Sequence, residues 1–502
     1  MKENLQDIYD ALVDDTKEIS ELSMVSEFLS WDQETYMPPK GIQSKSKQMA
    51  LITGIVHRRQ TDPRRGEWIG KLTARAEELD DGQKATLREC RRTYERLIKL
   101  PAELVEDQTR TCSLAHEHWI TARKNSDFGN FAPWLEKILT IKKQIAEYWG
   151  YPETPYDALL EEYEPGATAR STGAILEDLR KKLVPWVHKI AASSFKPRID
   201  FLNQVFPIDE QKKLGVFAMN AIGFDPEAGR LDISAHPFCT GTGGDVRLTT
   251  RYFENQPFAS LFGIIHESGH GLYEQGLLQE HLGAPLGISS AMSVHESQSR
   301  LWENIVARSR SFLKFMEPKL REVYSTQLAG VSLDEIYAAV NQVKPSLIRV
   351  EADEVTYSLH IILRFEVERD LLAGTLSVAD VPAAWNRKMK EYLSITPPND
   401  SEGCLQDIHW TIGAMGYFPS YALGSLNAAQ LYAAAKKDLP DLETKIEVGK
   451  FGDLLAWMRE KIHKQGRMFP PNDLIKFATG KPPSADDFMN YIAEKFGKLY
   501  KV

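Results

Sequence analysis

The chain has 502 residues, of which 42% are hydrophobic and 26% are charged, and its formal net charge at pH 7 is −9. These values are typical of a soluble globular protein, and the acidic balance argues against a nucleic-acid partner. No stretch reaches the roughly 18 consecutive apolar residues of a membrane helix, and the first residues lack the apolar core of a secretion signal. The four cysteines form no C-x-x-C pair, so we expect a cytoplasmic protein with reduced thiols.

Helical periodicity dominates the chain from its first residues onward. Apolar residues recur at three-and-four spacing from Leu5 to Leu22 and again from Ile175 to Ile190. Proline-containing breaks separate the helical segments, and they lie at 37–41, 151–155, 396–400 and 469–473. None of these breaks resembles a long flexible linker. The pattern predicts one large, mostly helical body of the all-α class.

One stretch alternates with period two instead. Residues 230–238 (RLDISAHPF) and 245–253 (DVRLTTRYF) alternate apolar and polar side chains, and the glycine-containing CTGTGG segment joins them. This pattern predicts a short β-hairpin. Because the hairpin comes just before a histidine-rich helix, it could hold an extended peptide by strand addition, or it could be a surface hairpin without function.

Residues 262–276 (FGIIHESGHGLYEQG) contain the motif H-E-x-x-H. On an α-helix His266 and His270 lie on one face a turn apart, so both can bind one metal ion. Glu267 is rotated by about 100° from His266, which suits a base acting on metal-bound water better than a metal ligand. The motif therefore predicts a site that hydrolyses a carbonyl compound. The alternative is a helix that carries two histidines by chance.

A catalytic zinc ion normally takes three protein ligands and leaves a fourth position for water. The segment SVHESQSRLWEN supplies a candidate for the third ligand, Glu296, after a loop that follows His270. This layout is that of metallopeptidases whose third ligand is a glutamate on a following helix. By spacing alone, other glutamates compete with it, namely Glu274, Glu280 and Glu303.

Distinctive residue combinations are spread in order over the whole chain. They are WDQETYMPP (31–39), HPF (236–238), DVRLT (245–249), HESGH (266–270), HESQ (295–298), QDIHW (406–410), GYFP (416–419) and IHKQGRMFPPNDL (462–474). Together they resemble the thermostable metallocarboxypeptidases of the carboxypeptidase Taq type, metallopeptidase family thirty-two. The whole ordered set is far more specific than H-E-x-x-H alone.

The resemblance implies a zinc- or cobalt-dependent enzyme, with one divalent metal per subunit, that removes single residues from peptide C-termini with broad specificity. It implies a two-lobed helical protomer with a deep cleft, usually a homodimer. The expected organisation is a single domain, 1–502, with N-terminal helices covering the cleft and a metal-binding core at about 230–420. By the same resemblance, the two motif histidines and Glu296 hold the metal, and Glu267 is the general base.

A carboxypeptidase must also bind a terminal carboxylate, for which the planar fork of arginine is suited. Polar residues at helical spacing run along 349–368, and they are Arg349, Asp353, Tyr357, His360 and Arg364. Such a stripe either lines a wet cleft or forms a salt-bridged solvated face. The resemblance favours Arg349 as the carboxylate anchor, and Arg247 and Arg364 are alternatives.

For the oxyanion of the tetrahedral intermediate, we expect His409 and Tyr417 to donate hydrogen bonds. Helical peptidases of the angiotensin-converting type similarly place a histidine and a tyrosine after the zinc-ligand glutamate. His236, on the expected hairpin, is a further candidate for contacting the substrate backbone, and Asp407 could orient His409. The competing functions are an oligopeptidase or endopeptidase with the same metal chemistry, and a helical scaffold without catalysis.

Overall fold

The structure, a computed structural model, describes residues 4–502, which are mostly helical as the sequence predicts. The α-helices are α1 (Leu5–Thr35), α2 (Ile42–Gln60), α3 (Pro63–Thr73), α4 (Asp81–Ile98), α5 (Ala102–Asn125), α6 (Phe128–Trp149), α7 (Pro155–Tyr163), α8 (Ala169–Ala192), α9 (Ile208–Ala221), α10 (Pro257–Glu274), α11 (Met292–Arg300), α12 (Arg310–Val323), α13 (Leu333–Val340), α14 (Tyr357–Ala373), α15 (Val381–Leu393), α16 (Pro419–Asp438), α17 (Leu442–Glu447), α18 (Gly452–Lys461), α19 (Pro471–Thr479) and α20 (Asp486–Tyr500). The strands are β1 (Gly229–Ile233), β2 (Cys239–Thr242) and β3 (Asp245–Thr250). Across residues 4–502, none of the helices is both long and apolar enough to cross a membrane.

Proline marks the helix boundaries where the sequence analysis placed its breaks. α7 begins at Pro155 and α19 at Pro471, and each of these prolines occupies the first turn of its helix. Proline is tolerated there because the first backbone N–H groups of a helix have no partner within it. The break at 37–41 follows the end of α1, and the break at 396–400 lies between α15 and α16.

The buried apolar residues form one large cluster that runs from α5 to α20 and includes the inner strand β3. α16 lies within it and is buried on nearly all sides, packing against α11, α14 and α20. The N-terminal helices α1, α3 and α4 share a smaller cluster, which comprises Ile8, Leu12, Ile69, Leu72, Leu79, Leu87 and Cys90. The helices α10, α11, α14 and α16, which carry or flank the candidate functional residues described below, all contribute to the larger cluster.

The strands pair differently from the predicted hairpin. β1 lies parallel to β3, with Leu231 opposite Leu248, and β2 pairs antiparallel with β3, giving the order β1-β3-β2. Thus part of CTGTGG, expected to be the turn, is itself a strand. Gly241 permits this pairing, because its φ is +89° and a Cβ atom there would lie 2.0 Å from the carbonyl oxygen of Asp245. Period-two alternation identifies strands but not their direction.

The stripe predicted over 349–368 is only partly helical. α14 begins at Tyr357, whereas Arg349–Glu351 forms a separate 3-10 turn. The side chain of Asp353 accepts two backbone N–H groups from the residues that follow it, and such bonds mark the start of a new helix. Arg364 is fully buried, so of the two alternatives for this stripe a solvated face does not fit the structure.

Candidate metal centre and active site

Three side chains predicted as metal ligands converge on one point. Nε2 of His266 lies 3.8 Å from Oε2 of Glu296, and Nε2 of His270 lies 3.5 Å from the same oxygen. The three ligand atoms all lie within 4.8 Å of one another. The histidines come from one face of α10 and the glutamate from α11. Two imidazoles and one carboxylate are the donor set of many catalytic zinc sites.

Close packing of three helices brings these ligands together. A Cβ atom built on Gly269 of α10 would lie 2.7 Å from the carbonyl oxygen of Gln298 and from Cα of Ser299 on α11. A Cβ atom on Gly424 of α16 would lie 2.5 Å from Cγ of Glu296. Glycine at these two crossings therefore allows backbone separations that any larger residue would prevent.

The Nδ1 atom of each motif histidine has a partner, which leads directly or through a second histidine to an acidic side chain. Nδ1 of His266 lies 2.8 Å from Oε2 of Glu303. Nδ1 of His270 lies 2.6 Å from Nδ1 of His295, whose Nε2 lies 2.8 Å from Oε1 of Glu274. If Nε2 of His270 binds a metal, its Nδ1–H donates to His295, and the Nε2–H of His295 donates to Glu274. Such partners fix the tautomer and the ring orientation of metal ligands.

These contacts distinguish Glu296 from the other glutamates whose spacing in the sequence would also suit a third metal ligand. Glu303 contacts Nδ1 of His266, and Glu274 contacts Nε2 of His295, so neither carboxylate faces the Nε2 atoms of the motif histidines. Glu280 lies on an exposed 3-10 turn after α10. Only Glu296 presents a carboxylate oxygen to the inner nitrogens of both motif histidines.

Sequence reasoning missed Arg300, which lies one turn after Glu296 on the same helix face. Its Nε donates to Oε1 of Glu296 at 2.6 Å, and its guanidinium carbon lies 4.2 Å from the centre of the Tyr357 ring. The arginine lowers the pKa of the Glu296 carboxyl well below its usual range, against the effect of burial. Glu296 is therefore ionised and oriented, as a metal ligand must be. The four-residue spacing between Glu296 and Arg300 was the feature of the sequence that could have predicted this pair.

Glu303 and its neighbour Asn304 belong to a π-helical turn, Leu301–Ala307, that continues α11. The backbone carbonyl of Asn304 accepts hydrogen bonds from the hydroxyl of Tyr491 at 3.1 Å and from Nζ of Lys495 at 3.2 Å. π-helical turns are uncommon and occur frequently at functional sites. Here the turn carries the glutamate that orients His266.

The protonation states of His270 and Glu267 fit a hydrolytic metal centre. Burial lowers the pKa of His270 to about 4, so its imidazole is neutral and available as a ligand. Burial raises the pKa of Glu267 to about 7, and the negative charge of Glu296 adds to the effect. A carboxyl group with a pKa near neutrality can both accept and donate a proton at physiological pH.

His409 and Tyr417 come together next to this centre. Their ring centres lie 5.5 Å apart, and both rings contact Tyr421. Nε2 of His409 lies 3.4 Å from the hydroxyl of Tyr421. The pKa of Tyr417 is raised to about 12 by burial and by the nearby charge of Glu296, so its hydroxyl remains a hydrogen-bond donor. Tyr421 was not predicted, although it lies four residues after Tyr417.

The guanidinium fork of Arg349 is buried and already engaged. Its Nε and Nη2 donate to Oδ1 of Asp407 at 3.0 and 2.8 Å, and its Nη1 donates to the hydroxyl of Tyr357 at 3.1 Å. Arg364 pairs with the other oxygen of Asp407. Two guanidinium groups therefore share one carboxylate, which leaves an excess positive charge beside His409. Asp407 lies 3.9 Å from Nδ1 of His409.

The two candidates on the sheet are not among these residues. His236 is exposed in the loop between β1 and β2, where its carbonyl accepts a hydrogen bond from Ser234. Arg247 is paired with Asp245, and its guanidinium carbon lies 4.1 Å from the ring centre of Phe28 and 4.2 Å from that of Trp31. These contacts join α1 to the sheet, so the structure gives Arg247 partners of its own.

A helical fold, two histidines and a glutamate that converge from an H-E-x-x-H helix and the next helix, and a buried glutamate beside them are features of a metallopeptidase of the glutamate-ligand class. The sequence profile of a family described as "Carboxypeptidase Taq (M32) metallopeptidase" matches residues 11–496. This chain belongs to that family, whose members hydrolyse peptide bonds.

Similar proteins match over almost their whole length. "Thermostable carboxypeptidase 1" of Thermus thermophilus is 41% identical, covering 98% of this chain and 99% of that protein. "Carboxypeptidase 1" of Bacillus subtilis is 39% identical, covering 96% and 97% respectively. The crystal structure of an M32 carboxypeptidase from Deinococcus radiodurans R1 superposes with a TM-score of 0.96 at 38% identity, covering 99% of this chain and 100% of that one. The family assignment therefore applies to the whole chain, and the expected family resemblance is confirmed.

Proposed function

We propose that this metallocarboxypeptidase is a zinc enzyme that releases single amino acids from the C-termini of peptides with broad specificity. The observation that carries the proposal is the convergence of His266, His270 and Glu296 beside the buried Glu267, in a chain of the carboxypeptidase Taq family. One divalent ion binds per subunit. The two imidazoles favour zinc over the hard cations calcium and magnesium, and cobalt can replace it.

A divalent metal on these ligands would lower the pKa of a water molecule and polarise the scissile carbonyl. Glu267 accepts the proton of the attacking water and donates it to the departing amine, and a pKa of about 7 suits both transfers. Glu303 and His295 hold the histidine rings in the tautomer that leaves Nε2 free.

The oxyanion of the tetrahedral intermediate receives hydrogen bonds from Tyr417 and His409. The raised pKa of Tyr417 keeps its proton on the hydroxyl, and burial lowers the pKa of His409 to about 4, so its imidazole is neutral. Neutral donors fixed next to a buried site stabilise a developing negative charge without reorganising. Tyr421, which contacts both rings, orients the pair.

Arg349 binds the terminal carboxylate of the substrate. The support is the charge balance around Asp407, since the carboxylate neutralises only one of the two arginines that contact it. An incoming carboxylate can bind the Nη1 edge of Arg349, which now contacts the hydroxyl of Tyr357. Charge-assisted bonds to a buried guanidinium are strong, so this contact selects free C-termini. His236, exposed next to β2, is a further candidate for binding the peptide backbone.

The protein acts in the cytoplasm as a homodimer, with residues 1–502 as one domain. Free thiols support the first point, because the four cysteines form no disulfides. The apolar cluster shared by α5 to α20 supports a single folded unit, with α1 to α4 as the cover of the cleft. The dimer rests on the family resemblance, and light scattering of the purified protein tests it.

The decisive experiment compares free-acid and C-terminally amidated forms of one peptide. In the wild type, the amidated peptide should be a poor substrate, and removal of the metal by a chelator should abolish cleavage of both. Arg349→Ala should lower kcat/KM on the free acid by about 2–4 kcal/mol, the cost of removing one partner of a buried charge pair, and should change the amide little. Arg349→Lys should recover only part of the loss.

Three results would contradict the proposal, each in a different way. Efficient cleavage of the amidated peptide by the wild type would favour an endopeptidase. Equal loss on acid and amide in Arg349→Ala would move the carboxylate anchor to Arg364. Purified protein without stoichiometric metal, even after incubation with zinc, would favour a helical scaffold.

A further inference from the structure

The loop that carries His409 and Tyr417 has no regular secondary structure between α15 and α16, so something outside it must fix both side chains. Within the loop, the N–H of Ala414 donates to the carbonyl of His409 at 2.9 Å, and Gly413 donates to Trp410 at 3.0 Å. These bonds shape the turn but do not attach it to the rest of the protein. Asp407 attaches the loop through its pairing with Arg349 and Arg364, and a second carboxylate, on α14, attaches the part that carries His409 and Tyr417.

Glu368 of α14 is fully buried and contacts the loop at two points, one beside His409 and one beside Tyr417. Its Oε1 accepts the indole N–H of Trp410 at 2.9 Å, and its Oε2 accepts the backbone N–H of Gly416 at 3.0 Å. Trp410 directly follows His409, and Gly416 directly precedes Tyr417. One carboxylate therefore holds the loop at the two positions adjacent to the proposed oxyanion donors.

A third donor and a tight backbone contact define this arrangement further. The hydroxyl of Tyr156 on α7 donates to Oε2 of Glu368 at 3.0 Å. Gly416 has φ of +90°, and a Cβ atom there would lie 2.7 Å from the carbonyl carbon of Leu159 on the same helix. Three donors point at the two oxygens, which requires an acceptor-only group such as a carboxylate.

We propose that Glu368 is a positioning residue for catalysis: it sets the places of His409 and Tyr417 through Trp410 and Gly416, without touching the substrate. The inference rests on the proposed oxyanion role of His409 and Tyr417. Glutamine at this position has the same shape, but its NH2 group would face one of the N–H or O–H donors. Two donors cannot form a hydrogen bond, so that contact would be lost and the loop would shift.

The test variant is Glu368→Gln, and the chain offers a matched control in Glu366→Gln. Glu366 lies on the same helix, is also mostly buried, and accepts hydrogen bonds from Lys388 and Tyr392 on α15 instead of the loop. Both variants are assayed with full metal content and at a temperature where circular dichroism shows them folded. We expect kcat of Glu368→Gln to fall at least tenfold below that of Glu366→Gln, with metal affinity unchanged in both.

The coupling to the loop is measured in a His409→Ala, Tyr417→Phe background. If Glu368 acts through these two residues, adding Glu368→Gln to that background should lower kcat less than twofold. A loss as large as in the wild-type background would overturn the inference, and so would equal kcat for Glu368→Gln and Glu366→Gln. If Glu368→Gln does not fold, Trp410→Phe removes the indole donor and is expected to show the same dependence on the background.

The oxyanion role of His409 and Tyr417 and the positioning role of Glu368 can each be contradicted without the other. Wild-type kcat in His409→Ala, Tyr417→Phe alone would remove the proposed oxyanion role, whatever Glu368→Gln does. A strongly impaired background together with wild-type kcat in Glu368→Gln would leave that role intact and remove the positioning role.

Discussion

Gly269 lies directly before His270 in the HESGH motif. It controls how closely α10 approaches α11. An alanine Cβ at this position would lie 2.7 Å from backbone atoms of Gln298 and Ser299. To reach ordinary van der Waals contact, the two helices must separate by about 0.7 Å. The histidine ligands lie on α10 and Glu296 lies on α11, so Gly269→Ala should widen the ligand triangle by a similar amount.

Metal sites tolerate errors in ligand distance of only about 0.2 Å. Overpacking of this kind costs about 1–3 kcal/mol, and we expect part of it to be relieved when the metal is absent. The metal affinity of Gly269→Ala should therefore fall about 10- to 100-fold, which corresponds to about 1.4–2.8 kcal/mol. Competition with a chromophoric chelator measures the affinity, and thermal unfolding of the metal-free protein measures the cost to the fold.

Gly263 provides the matched control on the same helix. A Cβ atom there would meet only Oγ1 of Thr250, at 3.8 Å. Gly263→Ala should keep wild-type metal affinity and gain about 0.5–1 kcal/mol of stability, because alanine loses less backbone entropy than glycine in a helix. Wild-type metal affinity in Gly269→Ala, or an equal loss in both variants, would refute the reasoning.

Three further predictions concern single glutamates. Glu267→Gln should retain metal and fold but lose most of its kcat, since the amide keeps the shape and removes the base; near-normal turnover would exclude it as the base. Glu296→Ala should lose stoichiometric metal, whereas Glu303→Ala should bind it with about 10- to 100-fold lower affinity. Equilibrium dialysis measures both affinities. Loss of the metal in Glu303→Ala but not in Glu296→Ala would make Glu303 the ligand instead. Glu164 is buried against the N-terminus of α11, and burial raises its pKa from its usual 4.5 to about 7. Its contribution to stability is present below pH 4.5 and is lost as the pH rises through 7. The free energy of unfolding, measured by chemical denaturation, should therefore decline over this pH range in the wild type and decline less in Glu164→Gln. An unchanged decline in the variant would contradict the raised pKa.

Local pattern predicted the all-α class and the strands β1 and β3, because helical spacing, period-two alternation and proline breaks act within a single segment. It failed where the outcome depended on distant partners. The parallel pairing of β1 with β3 is set by contacts between strands, and no residue within either strand specifies its direction. The start of α14 at Tyr357 depends on the side-chain bonds of Asp353, which a simple count of helical spacing ignores.

The candidate site shows the same division. Helical spacing is sufficient to place His266 and His270 on one face, but four glutamates satisfied the spacing for a third ligand, and the family resemblance selected Glu296. Arg300 and Tyr421 were missed although each lies four residues after a predicted residue. Their importance arises from contacts with Tyr357 of another helix and with His409 of the preceding loop, which spacing along the sequence does not show.

The π-helical turn after α11 has a consequence for how the protein matures. The carbonyl of Asn304 depends on Tyr491 and Lys495 of the last helix, and Gln298 of α11 contacts Nε2 of His463 at 3.0 Å. All three partners follow the candidate ligands in the sequence, so a ribosome makes them later. The π-helical turn that carries Glu303 therefore acquires these bonds only after α20 has been synthesised. A nascent chain that stops before α20 would contain every candidate ligand and still lack the contacts that hold this turn in place.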